Sequence, residues 1–510
     1  MSAVTSDAET VIVETAAGKV RGQRTGGVNV FKGMRYGADT GGANRFRPPQ
    51  PVITWTGVQD AFEYGHQSPQ MRGPLADKGP MSEDCLRVNV WTPGIDDARR
   101  PVMLWFHGGG FEAGSASQRV YDGTRLALRG DVVIVSINHR LNVFGHCFLG
   151  ERLGSDYTTS GNAGYLDLIA AMRWVRENIG AFGGDADNVT IFGQSGGGRK
   201  VSLCYAGEEA QGLFQRGIVQ SGSHLRVQSP EHAARLTDML LAVLDIAPGQ
   251  AARLLEFPTE ALSAAQFKVM RESRSRFSPV LDGLAFQTHP FVPEAPKVSL
   301  DLPMMVGTTR TELSNQLGYE DGVFDLDTAE LKRRLGRYVP VEDVDEAIAV
   351  FKAESPEASP TELYFTITSA RGYVRDQTIM TEQRVIAGAA PTYAYQLTWR
   401  SPAEGGRRIS QHTLDLPFMF DNVAKAPHLT GPETDETRAL AQAMSETWIS
   451  FARSGDPNNA AIPAWAPYDL ADRPVMLFDT PTRLAHDPHS AERRFMSRYE
   501  TQQMGRALHR

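Results

Sequence analysis

The chain has 510 residues, of which 41% are hydrophobic and 22% charged, a balance that excludes a disordered chain, a fibrous protein and a coiled coil. Its 60 acidic and 52 basic residues give a net charge of −8, which gives no reason to expect a nucleic-acid partner. The length exceeds one ordinary core, but we find no linker and no internal repeat. We therefore predict one elaborated domain over residues 1–510.

The N-terminal segment predicts neither secretion nor a membrane anchor. It carries Asp7, Glu9 and Glu14, and it lacks the apolar stretch of a signal peptide. The densest apolar runs, such as Val102–Phe106, are far shorter than the ~20 residues of a membrane span. An odd, sparse set of three cysteines fits a reducing compartment. We predict a cytoplasmic protein with no membrane partner, and the sequence specifies no oligomeric state.

Short apolar strands alternate with helices through the middle of the chain. Apolar residues at three- and four-residue steps predict a helix over residues 162–182. Strands are predicted at 102–106, 131–137, 188–192, 218–220, 304–306, 392–397 and 475–478. This alternation is typical of an α/β fold with a mostly parallel sheet covered on both faces. We interpret residues near 231–275 and 321–390 as helical insertions over one end of the sheet.

The pentapeptide Gly193-Gln194-Ser195-Gly196-Gly197 is the sharpest motif. It follows a predicted strand and precedes a predicted helix, so the serine hydroxyl would project from a tight turn above the sheet. The alternative is a glycine turn with an incidental serine, which the preceding strand disfavours. A phosphate-binding loop is also disfavoured, because Arg199 stands where that motif needs a lysine.

A second glycine loop follows the strand 102–106. In His107-Gly108-Gly109-Gly110-Phe111, exposed N–H groups of Gly109 and Gly110, together with that of Gly196, would converge on a developing oxyanion. A dinucleotide fingerprint fits less well, because the next strand ends in Ser136-Ile-Asn-His139 without an acidic residue for a ribose. The loop is therefore interpreted as an oxyanion hole.

These motifs together resemble the type-B carboxylesterase and cholinesterase family of α/β-hydrolases, in its bacterial form, over residues 11–480. The resemblance implies an α/β-hydrolase fold, with a twisted central sheet flanked by helices and insertions over an active-site gorge. It implies a serine carboxylesterase that acts on small-molecule esters without metal or cofactor. The segments that carry it are Ser82–Trp91, Gly161–Asp167, Phe182–Gly198, Gln220–Ser223 and Pro279–Gly283.

The order of the catalytic triad in this fold is serine, acid, histidine. His412 lies in Gln411–Phe420, which resembles the family's catalytic-histidine loop, and Glu312 follows the predicted strand 304–306 where the family has a glutamate. Asp282 remains an alternative acid, although its Asp-Gly pair is more simply a turn. The expected mechanism has Ser195 as nucleophile, His412 as base and Glu312 as orienting acid.

Six residues are predicted to line the substrate pocket: Phe111, Gln194, Arg274, Arg276, Phe277 and Phe418. Gln194 stands where the family has a glutamate, and Gly196 where it has an alanine. Leu75 stands where cholinesterases carry a tryptophan for choline, so a choline ester is disfavoured. Arg274 and Arg276 either pair with a substrate carboxylate or form a solvated face, and the second interpretation is favoured.

Three alternative interpretations of the sequence remain: one stays open and two are disfavoured. An amide or carbamate hydrolase would use the same three residues, and the sequence does not exclude it. A non-catalytic binding protein on the same fold is disfavoured because all three residues are present. A metal site at the H-x-x-H spacing of His486 and His489 is disfavoured because we expect both, with His428, on surface loops.

Overall fold

The structure is a computed structural model that describes residues 9–71 and 78–501. Residues 1–8, used for the prediction about secretion, and Leu75 lie outside the described residues. The chain divides into two compact units, Met1–Arg216 with Val227–Pro290 and Gly217–Arg226 with Phe291–Arg510. The single domain over 1–510 stays a prediction, and each unit is described by itself.

The strands of the first unit run from an antiparallel to a parallel arrangement. They pair in the order β1-β2-β3-β5-β7-β6-β8, with β4 on β2. Along this order the pairs from β1 to β7 are antiparallel, whereas β4 pairs in parallel with β2, and β6 pairs in parallel with both β7 and β8. Every residue of β6 and β7 is buried, as expected for parallel strands covered on both faces. The bounds are β1 (Thr10–Thr15), β2 (Gly18–Thr25), β3 (Val28–Arg35), β4 (Val58–Asp60), β5 (Arg87–Thr92), β6 (Arg100–Phe106), β7 (Val133–Ile137) and β8 (Gly184–Gln194).

Seven α-helices are described in the first unit: α1 (Thr124–Gly130), α2 (Asn142–His146), α3 (Gly150–Leu153), α4 (Ala163–Asn178), α5 (Gly196–Ala206), α6 (Pro230–Val243) and α7 (Thr259–Ser273). The predicted helix over 162–182 is confirmed as α4 followed by a 3₁₀ turn at Ile179–Phe182. Helix α6 begins at Pro230 because Ser229 accepts a hydrogen bond from the N–H of His232. Its Leu240 and Val269 of α7 pack in one apolar cluster.

The strands of the second unit pair in the order β9-β10-β11-β12-β13, parallel except for the last pair. They are β9 (Arg216–Gln220, beginning at the last residue before this unit), β10 (Met304–Thr309), β11 (Thr392–Leu397), β12 (Pro474–Phe478) and β13 (Arg483–His486). All residues of β10 and β11 are buried. Parallel neighbours bring the carboxyl ends of β9, β10 and β11 to one edge, where residues after these strands can meet.

Nine α-helices are described in the second unit: α8 (Ser314–Leu317), α9 (Thr328–Leu335), α10 (Val344–Glu354), α11 (Pro360–Ser369), α12 (Arg375–Ile386), α13 (Asp415–Met419), α14 (Pro427–Thr430), α15 (Asp435–Ser454) and α16 (Ser490–Met496). A capping box of Ser359 and Glu362 begins α11. A π-helical turn at Ala370–Val374 joins α11 to α12. None of the helices among the described residues is long and apolar enough to cross a membrane.

The sequence predictions missed the outer strands. The predicted strands of the middle and end of the chain are confirmed as β6 to β12, but β1 to β5 and β13 were not assigned. These strands alternate imperfectly, and Ile12 of β1 is 52% exposed. His428 and His486 are exposed, so the expected surface position is confirmed, but the expectation of loops was wrong, because His428 lies in α14 and His486 in β13.

Candidate active site

Ser195 occupies the turn between β8 and α5, as the G-x-S-x-G motif predicts. Its backbone has φ 58° and ψ −120°, a conformation that side-chain-bearing residues rarely adopt. Such strain persists only where the surroundings enforce it, and it is concentrated at functional sites. The strand before the serine and the helix after it therefore hold Ser195 in the arrangement that an exposed nucleophile needs.

Close backbone packing explains the glycines that follow Ser195. A Cβ on Gly196 would lie 2.2 Å from the carbonyl oxygen of Gly110, and one on Gly197 would lie 1.9 Å from that of Phe106. Neither contact is possible for a real side chain, so both positions require glycine in this structure. The glycine at 196, where the family has an alanine, lets the first turn of α5 approach the loop after β6.

The loop after β6 presents backbone donors. Gly109 and Gly110 have φ values of 93° and 68°, in the region that glycine enters without strain. Among the described residues, neither N–H group donates a backbone hydrogen bond. The N–H of Gly196, the first residue of α5, has no acceptor within its helix. All three donors lie in the first unit, and such groups can stabilise a developing oxyanion.

A buried lysine supports this loop, and sequence reasoning missed it. Lys200 of α5 is 1% exposed, and its Nζ donates to the carbonyl oxygen of His107 at 2.9 Å. The ammonium group also lies 5.9 Å from the centre of the Phe111 ring. Burial, with the charge of Arg199, lowers the pKa of Lys200 to about 7. The signal available in the sequence was a pair of adjacent cations, Arg199 and Lys200, in the helix that directly follows the serine.

The lowered pKa of Lys200 predicts a pH-dependent stability. Between about pH 7 and the ordinary lysine value of 10.5, the unfolded chain binds a proton that the folded chain does not. We therefore expect the free energy of unfolding of the wild type, relative to Lys200→Met, to increase as pH rises from 7 to 10. Urea unfolding of both proteins at pH 7, 8, 9 and 10 measures this difference. A difference that stays constant across these values would contradict the prediction.

Glu312 and His412 form a buried pair in the second unit. Glu312 follows β10 and is fully buried, and its Oε2 is hydrogen-bonded to Nδ1 of His412. Its Oε1 accepts from Oγ of Ser221 and from the N–H of Thr309, both at 2.7 Å. Three partners thus fix the carboxylate, and the carboxylate fixes the imidazole ring. With Nδ1 bonded to the carboxylate, Nε2 is the ring nitrogen that can exchange a proton with a reacting group.

A second buried carboxylate lies beside this pair and was not predicted. Asp415 begins α13, and its Oδ2 accepts from Nε2 of Gln220 at 2.7 Å and from the Tyr395 hydroxyl at 3.4 Å. Gln220 in turn accepts from the indole N–H of Trp448 at 3.0 Å. Burial raises the pKa of Asp415 to about 6, and the charge of Glu312 adds to this effect. Asp415 and Ser221 lie in segments that resemble the family, but neither had been given a role.

The alternative acid Asp282 is engaged in its own turn in the first unit. Its Oδ1 accepts from the N–H groups of Leu284 and Phe286, and its Oδ2 accepts from Nδ2 of Asn162. These contacts fit the turn interpretation of the Asp-Gly pair. Glu312, by contrast, is directly bonded to a histidine.

Three of the predicted pocket residues, Phe111, Gln194 and Arg276, lie beside Ser195 or in or against the glycine loop of the first unit, and Arg274 does not. Arg276 pairs through Nε with Oε1 of Glu112 at 2.7 Å, and its Nη1 lies 3.0 Å from where a Cβ on Gly110 would be. Gln194 and Phe111 are buried, at 1% and 2% exposure. Arg274, at the end of α7, is exposed. The structure thus brings Arg276 to the glycine loop and leaves Arg274 in solvent.

The other two predicted pocket residues lie in packed cores. Phe277 is 1% exposed and belongs to the apolar cluster around α6 and α7 in the first unit. Phe418 is fully buried in the second unit and packs edge-on against Trp399, with ring centres 5.2 Å apart. Packing accounts for both rings, and their contact with substrate stays a prediction.

The thiols and acids of the described residues form no metal-binding group. No cluster of three or more histidine, cysteine, aspartate or glutamate side chains is arranged there to hold a metal ion. Cys85, Cys147 and Cys204 are buried free thiols. His486 and His489 lie near acids, at 3.7 Å from Asp472 and 3.8 Å from Glu354.

Known proteins similar to this chain are esterases and related hydrolases. A sequence model of the carboxylesterase family matches residues 9–496. The para-nitrobenzyl esterase of Bacillus subtilis (strain 168) is 34% identical, covering 94% of this chain and 97% of that protein. A phenmedipham hydrolase of Pseudarthrobacter oxydans is 30% identical, over 91% and 94%. The crystal structure of a Geobacillus stearothermophilus carboxylesterase superimposes with a TM-score of 0.84 at 36% identity, covering 95% of this chain and 99% of that one.

Proposed function

The chain belongs to the carboxylesterase family and is a carboxylic ester hydrolase with the predicted α/β-hydrolase fold, and we propose that it acts through an acyl-enzyme on Ser195. The observation that supports this proposal most directly is the strained turn at Ser195 between β8 and α5, since a serine with positive φ at a strand-to-helix turn is the arrangement of an exposed nucleophile.

In the proposed mechanism, Ser195 Oγ attacks the ester carbonyl while His412 Nε2 takes its proton. Glu312 holds the imidazole tautomer and stabilises its charged form. The N–H groups of Gly109, Gly110 and Gly196 stabilise the oxyanion of the tetrahedral intermediate. His412 returns the proton to the departing alcohol, and water then attacks the acyl-enzyme by the same route.

Two independent features support these roles. The Glu312–His412 pair is buried and bonded through Nδ1, which is the arrangement that a general base requires. The chain order serine, acid, histidine is the order of this fold. Beside the strained turn, that order and the family also support the assignment of Ser195 to the same reaction. An organophosphate should label Ser195 alone, and peptide mapping of the labelled chain tests this.

An amide or carbamate hydrolase is the second candidate, and the phenmedipham hydrolase among the relatives fits it. Acylation from an ester and from an anilide differs in the leaving group, which the oxyanion donors do not touch. Comparison of kcat/KM for a p-nitrophenyl ester and the matched p-nitroanilide separates the two activities. Faster turnover of the anilide would favour the second candidate. If the protein were a non-catalytic binding protein, the wild type would hydrolyse neither the ester nor the anilide.

Arg276 is proposed to select esters that carry a carboxylate on the acyl group. Its guanidinium lies at the glycine loop, but Glu112 neutralises part of its charge. We expect Arg276→Ala to lower kcat/KM for a carboxylate-bearing ester by about tenfold relative to its neutral analogue, as loss of one charge-assisted contact predicts. Glu112→Gln should increase the same ratio, because it frees the guanidinium.

Arg274→Ala is the matched control, since Arg274 is exposed at the end of α7. It should leave the ratio of the two kcat/KM values unchanged. Equal losses on both esters in Arg276→Ala, or no loss on either, would overturn the selectivity proposal. The solvated-face interpretation of Arg274 and Arg276 would then hold for both residues.

We propose that the enzyme works in the cytoplasm on small-molecule esters, without a nucleic-acid or membrane partner. The three buried free thiols are consistent with a reducing compartment. Fractionation of the native host with detection of the chain in the soluble and periplasmic or extracellular fractions tests the location.

A further inference from the structure

A cavity of about 80 Å³, partly open to solvent, lies in the second unit, and neither Glu312 nor His412 lines it. One wall is formed by residues of β10, β11 and β12, including Thr308 and Val475. The other wall is formed by α12 and the segment that leads into α16, including Gln377 and His489. A space of this size accommodates several water molecules or a small organic ligand.

Four residues of this lining carry a buried polar atom that has no hydrogen-bond partner among the described residues. The atoms are Oγ1 of Thr308, Nε of Arg375, Oε1 of Gln377 and Nδ1 of His489. Thr308 and Gln377 are more than nine-tenths buried, at 2% and 8% exposure. Buried polar groups in folded proteins are almost always satisfied, so a cluster of unsatisfied ones around a cavity indicates a polar occupant.

Four arginines line the cavity, and three of them form ion pairs with carboxylates. Arg310 is paired with Glu492, and Arg493 with Asp487, each through two hydrogen bonds. Arg473, the third, is paired with Glu382 and with the Tyr468 hydroxyl.

Arg375 has no ion pair within 4.0 Å among the described residues, and the carboxylates of Glu382 and Asp376 act on it only at longer range. Burial lowers its pKa, which reflects the cost of holding this cation without a close partner. The planar guanidinium group presents a fork of donors that matches a carboxylate.

The lining also includes apolar side chains, and these indicate what the anion carries. Val374, Ala394, Val475 and Met496 contribute hydrocarbon surface. Ala370 and Val374 bound the π-helical turn between α11 and α12, and π-turns of this kind are frequent at functional sites. Hydrocarbon surface beside convergent polar groups is a usual character of small-molecule sites.

We propose that this cavity binds a small organic carboxylate, with its anionic end on Arg375 and Thr308 and its hydrocarbon end against Val475 and Met496. The site is separate from the proposed ester chemistry. Ester hydrolysis releases acids of this class, which makes butyrate a suitable probe.

The test is an NMR titration that measures binding of ¹³C-labelled butyrate to the full-length Ser195→Ala chain. We expect saturable binding at one site, with butanamide at least about tenfold weaker, because the neutral amide lacks the charge that Arg375 recognises. Arg375→Gln should weaken butyrate about tenfold or more, and Thr308→Val should weaken it by a smaller factor. Arg400→Gln is the matched control, because Arg400 is an exposed arginine paired with Glu362 in the same unit.

No saturable butyrate binding would overturn the proposal and leave a water-filled cavity. Equal binding of butyrate and butanamide would also overturn it, as would binding that neither Arg375→Gln nor Thr308→Val weakens. If Arg375→Gln does not fold, Arg375→Lys and Thr308→Val decide the outcome. Turnover is measured separately on the wild type, so failure of the proposed catalytic role of Ser195 would not be confused with failure of this site.

Discussion

Ser195→Ala should reduce kcat for p-nitrophenyl acetate by about a millionfold, the order of loss seen when a serine nucleophile is removed. The residual rate would come from the backbone donors of Gly109 and Gly110, which the substitution leaves in place. Steady-state hydrolysis, with active-site titration to exclude wild-type contamination, measures the effect. Retention of wild-type turnover would remove Ser195 from the mechanism.

Two further variants separate catalysis from folding. Ser202→Ala changes a serine two turns later in α5, whose hydroxyl donates to the carbonyl oxygen of Gly198 in the same helix. It should keep most of the activity. Ser195→Gly should be as inactive as Ser195→Ala but more stable, because glycine adopts the positive φ of residue 195 without strain. Thermal unfolding midpoints of the three proteins provide this comparison.

Glu312→Gln should lower kcat by about three to four orders of magnitude with little change in KM. The amide can no longer hold His412 in the tautomer that accepts a proton from serine, nor stabilise the imidazolium. Ser221→Ala should produce a much smaller loss, because Thr309 still donates to the same oxygen of Glu312. Pre-steady-state acylation with p-nitrophenyl acetate measures both effects on the chemical step.

Two other acids serve as controls for Glu312. Asp415→Asn should affect activity less than Glu312→Gln, since Asp415 bonds to Gln220 and Tyr395. Asp282→Asn should reduce stability more than turnover, because its side chain accepts from its own turn. A larger loss of kcat in either variant than in Glu312→Gln would transfer the orienting role to that acid.

The contrast between predicted and missed residues has a local explanation. The strand before Ser195 and the glycines after it are adjacent in sequence, so their motif could be identified without knowledge of the fold. Lys200 belongs to no recognisable sequence motif. Its contact with the glycine loop depends on the tertiary structure, because the first turn of α5 packs against the loop after β6. Asp415 is similar: its raised pKa follows from burial beside Glu312, which lies more than a hundred residues earlier in the chain.

The predictions of pocket residues were limited for the same reason, because contacts between distant segments decide where a side chain lies. Arg274 and Arg276 are two residues apart and indistinguishable by charge. Arg274 lies at the end of α7 and is exposed to solvent, whereas Arg276, two residues later, contacts Glu112 and lies beside Gly110. Phe277 and Phe418 are predicted to line the pocket, and packing places both rings in apolar cores.

The sequence by itself determined the parts of this protein that depend on neighbouring residues. These are the central strands, helix α4, the turn at Ser195 and the glycine loop, because periodicity and glycine positions act over a few residues. Only the tertiary structure decided which side chains are buried without partners, which ions are paired and which carboxylate holds His412. Those properties arise from desolvation and contact between segments far apart in the chain. Thr308 is an example, because it is buried beside the cavity and its hydroxyl has no hydrogen-bond partner among the described residues.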